Sequence, residues 1–395
     1  MLSVIEARAK ILAAITPTST ETIGLAAAAG RVLAAPVLGR LTQPPADVSA
    51  MDGFALRAED GTKGAVLRVT GAAPAGHPFA GKLGPGEAIR LFTGSFVPEG
   101  ADTVLIQEDA TLEGNRLIVN ETCEEKKNIR RAGQDFAVGD ILIPAGKRLT
   151  ARDIGLAAAG NHPWLAVHRR PRIAILATGD EIFLPGEKIP PGGIVSSNAH
   201  MLAAFVAACG AEATILPIAG DTLAAIAEGA DAARGADMLI TTGGASVGDH
   251  DLVQAGLAAR GLSLEFWKIA MRPGKPLMFG SLGAMPMLGL PGNPVSAFVC
   301  SLLFLGPAID RLLGLPGGAP ATETARLAAP MKANDQREDY VRATLTRDET
   351  GWLATPFPVQ DSGMLRTLAH ATALIQRAPH ESAQPAGAEV RIIRL

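Results

Sequence analysis

Three apolar runs in this chain stop abruptly at small, polar and acidic residues. The first ends in "ATGDEI" (Ala177–Ile182), where Thr178 and Gly179 give a tight exit and Asp180 and Glu181 set two carboxylates at the mouth of a strand. A turn carrying a helix N-cap is the alternative reading. The second is "MLITTGGASVGDHDLV" (Met238–Val253), in which Gly243 and Gly244 let the backbone pass close to a ligand. The N–H groups of Ala245–Gly248 can then face an anion near a helix start, and Ser246 adds a hydroxyl donor. Asp249 and Asp251 repel a phosphate directly, but they suit a divalent cation bridged to it, because Mg²⁺ takes carboxylate and phosphate oxygens together. A glycine turn with acidic helix-dipole caps is the alternative. The loop is not a Walker A motif, since no Gly-Lys-Ser/Thr follows. The third is "GLPGNPVS" (Gly289–Ser296), where Pro291 and Pro294 stiffen a turn, Gly292 permits a positive φ, and Asn293 and Ser296 supply polar groups. A purely structural turn is the default for this motif alone. Between the last two, "FWKIAMRPGKPLMFG" carries Lys268, Arg272 and Lys275, a cationic cluster that suits a highly anionic ligand, with solvated surface charge as the alternative.

The elements around these stretches follow from hydrophobic pattern. From Pro171 onward, apolar strand-like runs alternate with helical ones, which implies a mainly parallel sheet with helices on both faces. Ligands of such sheets sit beyond the carboxyl ends of the strands, so the three stretches are expected to face one crevice. Upstream, Val4, Ala7, Ile11 and Ile15 predict an amphipathic helix over 3–15 that stops near Pro17. "TETIGLAAAAGRVLA" (Thr20–Ala34) predicts a second helix, and "TARDIGLAAAG" a third. From about 53 to 135, short β-like runs alternate with Gly/Pro turns, and "LEGNRL" reads as a hairpin. "GLPGGAPA" (Gly314–Ala321) reads as a linker to a small C-terminal β domain. Polar loops holding Asp47, Asp52, Thr93, Ser95, Asp102, Arg130, Arg131, Asp135 and Asp140 are mostly explained by turn chemistry, and spacing alone does not place them in the crevice.

Composition narrows the function classes. The 395 residues suggest two to four domains, and with 36 basic against 39 acidic residues the net charge of −3 makes no case for nucleic acid or an anionic membrane. Aromatic residues are 4% of the chain, too few for base-stacking platforms. Cys123, Cys209 and Cys300 form no CxxC pair, so neither a disulfide framework nor a cysteine zinc site is indicated, and a reducing cytosol fits. The start carries Glu6, Arg8 and Lys10 within its apolar pattern and does not read as a signal peptide. The uncharged stretch from Pro276 to Ile309 is cut by "GSLG" and "PGNP" and reads as two buried strands and a buried helix.

Eight segments, in order, resemble the molybdopterin molybdenumtransferases of molybdenum-cofactor biosynthesis, the MoeA family. They are "PPADVSAMDGFAL", "FTGSFVPEGADTVLIQED", "NIRRAGQDFAVGDILIPAGKRL", "LATGDEI", "VSSNAHML", "TTGGASVGDHDLV", "KIAMRPGKP" and "GLPGNPVSAFV". The resemblance implies a multidomain α/β plus β chain: a discontinuous N-terminal helical domain (1–45 and 136–170) and an inserted small β domain (46–135). It also implies a three-layer α/β molybdopterin-binding domain with a mainly parallel sheet (171–318) and a C-terminal β-barrel domain (319–395). It implies a homodimer whose clefts join the α/β domain of one subunit to the first domains of the other. The implied reaction takes adenylylated molybdopterin and molybdate, inserts molybdenum into the dithiolene and releases AMP with Mg²⁺. Carried over residue by residue, the acidic site positions fall on Asp52, Asp135, Glu181, Asp221 and Asp251, with Glu181 and Asp251 as metal ligands. Substrate-binding positions fall on Thr93, Thr178, Gly243, Gly244, Ser246, Gly248, Lys268, Arg272, Lys275, Pro291, Asn293, Pro294, Arg342 and Ser362. At Arg272 the family can show lysine; arginine keeps the charge and adds a bidentate fork. The implied setting is cytoplasmic, with the molybdopterin adenylyltransferase and recipient molybdoenzymes or their chaperones as partners, and neither nucleic acid nor membrane. A non-catalytic molybdopterin-binding scaffold and a molybdopterin adenylyltransferase are the competing readings.

Overall fold

The segment Met238–Thr242 is buried at all five positions, as a strand covered on both faces requires. In the computed structural model, which describes residues 1–243, 252–349 and 351–395, it lies at the centre of a six-stranded mixed sheet. The strand order is Glu212–Ile215, Arg172–Ala177, Met238–Thr242, Met285–Leu290, Met278–Leu282, Leu262–Trp267. The first four are mutually parallel, Met278–Leu282 runs against them, and Leu262–Trp267 pairs antiparallel with Met278–Leu282. Along the strands, side chains alternate between two cores. Ile173, Ile175, Ile240 and Leu288 face one cluster with Leu202, Val206 and Val299, while Ala174, Leu176, Leu239 and Met287 face another with Ile226, Val253 and Leu257. Helices therefore cover both faces of the sheet.

The 19-residue apolar segment Pro294–Leu312 has the length and composition of a membrane span, yet 72% of it is buried inside the protein, so it is a core helix. Together with the strands Met278–Leu282 and Met285–Leu290 it accounts for the uncharged stretch as two strands and a helix. The helix Val4–Ala13 opens with a Ser3/Glu6 capping box and buries Val4, Ala7 and Ile11 in the same core.

Beyond residue 322, the strands Glu323–Leu327, Glu338–Asp348, Gly351–Pro356, Ala373–Arg377 and Glu389–Arg394 form a five-strand barrel, closed where Glu338–Asp348 pairs with Ala373–Arg377. Met271–Arg272 leaves the α/β region to pair in parallel with Glu338–Asp348. Tyr340, Leu374 and Ile393 of the barrel pack into the α/β core cluster.

A second compact unit comprises residues 23–29 and 35–165. Its main element is a curled six-stranded sheet in the order Thr103–Ile106, Gly53–Leu56, Glu87–Leu91, Val66–Ala73, Arg116–Val119, Ala110–Glu113. Phe54, Leu56 and Leu105 pack on one side of it, and Ala55, Ile89 and Val104 on the other. The expected hairpin is present, with Glu113 opposite Arg116 and Gly114 at φ +66°. The expected third helix is Ala151–Ala159, and Asp153 accepts from both the N–H (2.8 Å) and the hydroxyl (2.7 Å) of Thr150.

The expected helix over Thr20–Ala34 is not formed. Thr20–Gly24 is a strand, followed by a single 3-10 turn at Leu25–Ala27. Gly24 and Gly30 bracket the short alanine run, Gly30 sits at φ +76°, and Thr20, Thr22 and Ile23 are β-branched, so the helical pattern lacks the propensity to sustain itself. Residues 1–45 thus contain one α-helix, Val4–Ala13, and it belongs to the α/β core.

Candidate functional site

A cavity of 770 Å³ opens at the carboxyl ends of three parallel strands. Its floor is made where those strands exit, at Ala177–Thr178, Thr242–Gly243 and Pro291–Gly292. Two glycines keep this rim open. Gly243, at φ +100°, passes so close to the first exit that a Cβ would lie 2.4 Å from the Thr178 carbonyl oxygen. Gly179, at φ +141°, leaves room for Glu181, whose Oε2 would sit 2.6 Å from a Cβ placed there. The Glu181 carboxylate faces the cavity and has no hydrogen-bond or ion-pair partner among the described residues.

The third exit is a rigid turn. Asn293 caps the following helix with extended backbone, and Pro294 takes the first helical position, where its missing N–H costs nothing. Asn293 Nδ2 donates to Ser362 Oγ (2.8 Å), and the Val295 N–H donates to the Ser362 carbonyl (3.1 Å). A loop of the barrel is thereby docked on the turn, and Gln360, Asp361 and Ser362 join the cavity wall.

The cations differ in kind. Arg272 lines the cavity, but its guanidinium is held by Asp339 (2.5 Å), Asp335 (3.3 Å) and Asn334 (3.2 Å), and the Asp339 bond raises its pKa further. Arg337, also on the wall, pairs with Asp335 and holds that carboxyl down at about 2. Lys275 lines the cavity with no ion-pair partner among the described residues. Lys268 lies off the wall, with its ammonium 4.2 Å from the centroid of the Trp267 ring.

Two further expected residues do not line the cavity. Asp221 forms a reciprocal pair with Asp180: its N–H donates to Asp180 Oδ1 (2.9 Å), and the Asp180 N–H donates to Asp221 Oδ2 (3.4 Å). Arg342 is 1% exposed and donates to the carbonyls of Asp361 (2.9 Å), Met364 (3.3 Å) and Val359 (3.5 Å) and to Gln360 Oε1 (3.3 Å). Burial lowers its pKa, and the charge of Asp361 opposes the shift. It holds the loop that carries Ser362 and does not reach the cavity itself.

Thr178, Glu181, Gly243, Arg272 and Lys275 are thus brought together with Pro291, Asn293, Pro294 and Ser362. Gly244, Ser246, Gly248 and Asp251 lie outside the described residues. Asp52, Thr93 and Asp135 belong to the second unit. There, Asp52 Oδ1 accepts from both the N–H (2.7 Å) and the hydroxyl (2.8 Å) of Thr93, and these bonds, the backbone one foremost, hold its pKa below the ordinary carboxyl value. Asp135 leaves its side chain exposed. Among the described residues, no group of three or more His, Cys, Asp or Glu side chains is arranged to hold a metal ion. Sequence reasoning missed Asn198, Arg337, Gln360 and Asp361 on the wall. Asn198 stood within "VSSNAHML" without a signal of its own, and the other three come from the barrel, more than forty residues downstream of the strand exits.

Residues 2–160 match the family model for the MoeA N-terminal region (domain I and II), residues 174–311 that for a probable molybdopterin binding domain, and residues 324–395 that for the MoeA C-terminal region (domain IV). The chain is 39% identical over 336 residues to the molybdopterin molybdenumtransferase of Nostoc sp., covering 82% of this chain and 77% of that protein. It is 36% identical over 317 residues to the molybdopterin molybdenumtransferase of Haemophilus influenzae, covering 80% and 78%. It also superposes on the crystal structure of the molybdopterin biosynthesis MoeA protein of Pyrococcus horikoshii with a TM-score of 0.87 at 26% identity, over 100% of both chains.

Proposed function

Because the chain belongs to the MoeA family of molybdopterin molybdenumtransferases, we propose that it inserts molybdenum from molybdate into the dithiolene of adenylylated molybdopterin and releases AMP. The observation that carries this reading is the meeting of Lys275, Glu181 and the bare strand end at Gly243 on one cavity wall. The Lys275 ammonium, with no ion-pair partner among the described residues, attracts molybdate or the substrate phosphates, which are oxyanions. The positive-φ glycine lets a bulky substrate approach the main chain. The Pro291–Pro294 turn, stiffened by two prolines and clamped to Ser362, fixes the far wall against which the substrate is oriented.

Of the two expected Mg²⁺ ligands, Glu181 stands on this wall. Glu181 offers a hard oxygen donor with no partner among the described residues, and Gly179, lacking a Cβ, leaves room for its carboxylate. Asp251, the second expected ligand, lies outside the described residues. A Mg²⁺ ion held by Glu181 and Asp251 would supply Lewis-acid polarisation of a phosphoryl oxygen. Asp52, kept ionised by its two Thr93 donors, and Asp135 are assigned to the same site through a homodimer, each copy lending its 46–135 region to its partner's cavity. The enzyme is placed in the cytoplasm, receiving its substrate from the adenylyltransferase and passing its product to recipient molybdoenzymes or their chaperones.

The test is reconstitution with purified protein, adenylylated molybdopterin and Mg²⁺, following AMP release with and without molybdate. Release that depends on molybdate is expected. Release indifferent to molybdate, or none, overturns the proposal.

A further inference from the structure

Three strands of the curled sheet end at one rim. Gly53 pairs with Leu91 on one side and with Ile106 on the other, so Asp52, Phe92 and Gln107 stand beside one another just beyond the pairing. Asp52 is tied there twice. Its carboxylate accepts the two Thr93 bonds, and its carbonyl accepts the Gln107 N–H (3.0 Å).

One side chain reaches all three strand ends. Arg90 pairs opposite Phe54, and its guanidinium carbon lies 4.8 Å from the centroid of the Phe54 ring and 5.4 Å from that of Phe92. Its Nη2 donates to Gln107 Oε1 (2.6 Å). The orientation of that amide is fixed, because Gln107 Nε2 donates to Glu108 Oε1 (3.2 Å) and, turned over, would meet the guanidinium donor to donor. Among the described residues no carboxylate forms an ion pair with Arg90. These contacts use arginine in particular: a planar cation offers its faces to aromatic rings and its edge to an acceptor at once, which an ammonium cannot do. Phe54 is buried, whereas Phe92 and Gln107 are exposed, so Arg90 fastens two exposed residues to a buried one. Phe92 precedes Thr93 in the chain, and Gln107 supplies the N–H on the Asp52 carbonyl. Fastening them fixes both groups that hold Asp52. The two Thr93 bonds lower the Asp52 pKa most, and the Arg90 charge lowers it further.

We propose that Arg90 is a positioning residue for the transfer reaction, holding Asp52 in one orientation by fastening Phe92 and Gln107 to Phe54. The inference rests on the transferase reading above, which assigns Asp52 to the site. Arg90 acts through Asp52 and has no need to touch substrate. A carboxylate that wanders from its working geometry is lost to the reaction even where the fold survives.

Three variants test this. Arg90→Met keeps the stem against the rings and removes the charge and the donor. Arg90→Lys keeps the charge alone. Gln107→Ala, at an exposed position, removes the acceptor and leaves the main-chain bond to Asp52. Each is melted, its Asp52 titration is followed by NMR, and kcat and KM are measured from molybdate-dependent AMP release. Arg90→Met is expected to lower kcat about tenfold with KM within about twofold of wild type, as loss of an orienting group does, and to raise the Asp52 midpoint. Arg90→Lys is expected to restore the midpoint and only part of kcat. Gln107→Ala is expected to move both readings in the same directions as Arg90→Met, with kcat down about threefold. Wild-type kcat or an unmoved midpoint in Arg90→Met overturns the proposal, whatever its melting temperature; if that variant does not fold, the same two readings on Gln107→Ala decide. A raised KM with unchanged kcat also overturns it, since Arg90 would then bind substrate directly. A wild type that releases no AMP sinks the transferase reading instead, and the midpoints alone then decide whether Arg90 holds Asp52.

Discussion

Arg272 and Lys275 are three residues apart and electrostatically unlike. Two aspartates and an asparagine of the barrel already hold Arg272, so its charge is largely offset, whereas Lys275 lines the cavity with no ion-pair partner among the described residues. Lys275→Glu should therefore weaken molybdate or phosphate binding by at least about tenfold, read by calorimetry, since a cation becomes a repelling carboxylate at a partly screened site. The sequence exposed both cations but not this difference, because Asp335 and Asp339 lie some sixty residues away and meet Arg272 only through the parallel pairing of Met271–Arg272 with Glu338–Asp348. Asp52 offers a second check. Its folded pKa is depressed, so its contribution to stability is present above the ordinary carboxyl range and is lost as pH falls through the lowered value. Thr93→Val removes the hydroxyl donor and keeps the N–H. The Asp52 titration midpoint, followed by NMR, should move up toward the ordinary value of 3.8, and an unmoved midpoint would show that the hydroxyl contributes nothing.

At the scale of elements, the loop from Phe357 to Met364 is gathered from behind by one side chain. Arg342 gathers three main-chain carbonyls and Gln360 Oε1, and the loop in turn presents Ser362 to Asn293. Arg342→Met should destabilise the protein by about 2 kcal/mol, the cost of leaving buried carbonyls unpaired, and should raise KM for the adenylylated substrate more than it lowers kcat. Arg342→Lys, keeping charge but not the fork, should recover only part of the loss; a full recovery would mean that charge alone matters. Sequence pattern marks regular elements well and clamps of this sort poorly. Long apolar runs ending at Gly, Asp or Pro declared the strands and the rim of the sheet, since burial on both faces leaves little else they can be. The partners of Arg342 are carbonyl groups that every residue carries, so no residue type announces them. The Thr20–Ala34 segment shows the opposite failure: alanine content resembles a helix, while two glycines and three β-branched residues decide against it.

At the scale of the molecule, the homodimer proposal makes a quantitative claim. If Asp52 of one copy serves the cavity of the other, a 1:1 mixture of Asp52→Asn and Lys275→Glu proteins, exchanged through dissociation, forms mixed dimers with one site carrying both lesions and one carrying neither. With half of all dimers mixed, about a quarter of the sites regain both groups, so about a quarter of wild-type AMP release should return. If each site draws both residues from one chain, mixing restores nothing. Within the first unit, the barrel is bound to the α/β core more closely than its linker suggests. Met271–Arg272 adds a rung to a barrel strand, and Tyr340, Leu374 and Ile393 share the hydrophobic cluster of the sheet, whereas Pro316, Gly318 and Ala319 of the connecting segment are open to solvent. A protease that nicks this segment should cut the backbone without liberating a fragment. The severed protein should elute as a single particle and part into two bands only once denatured.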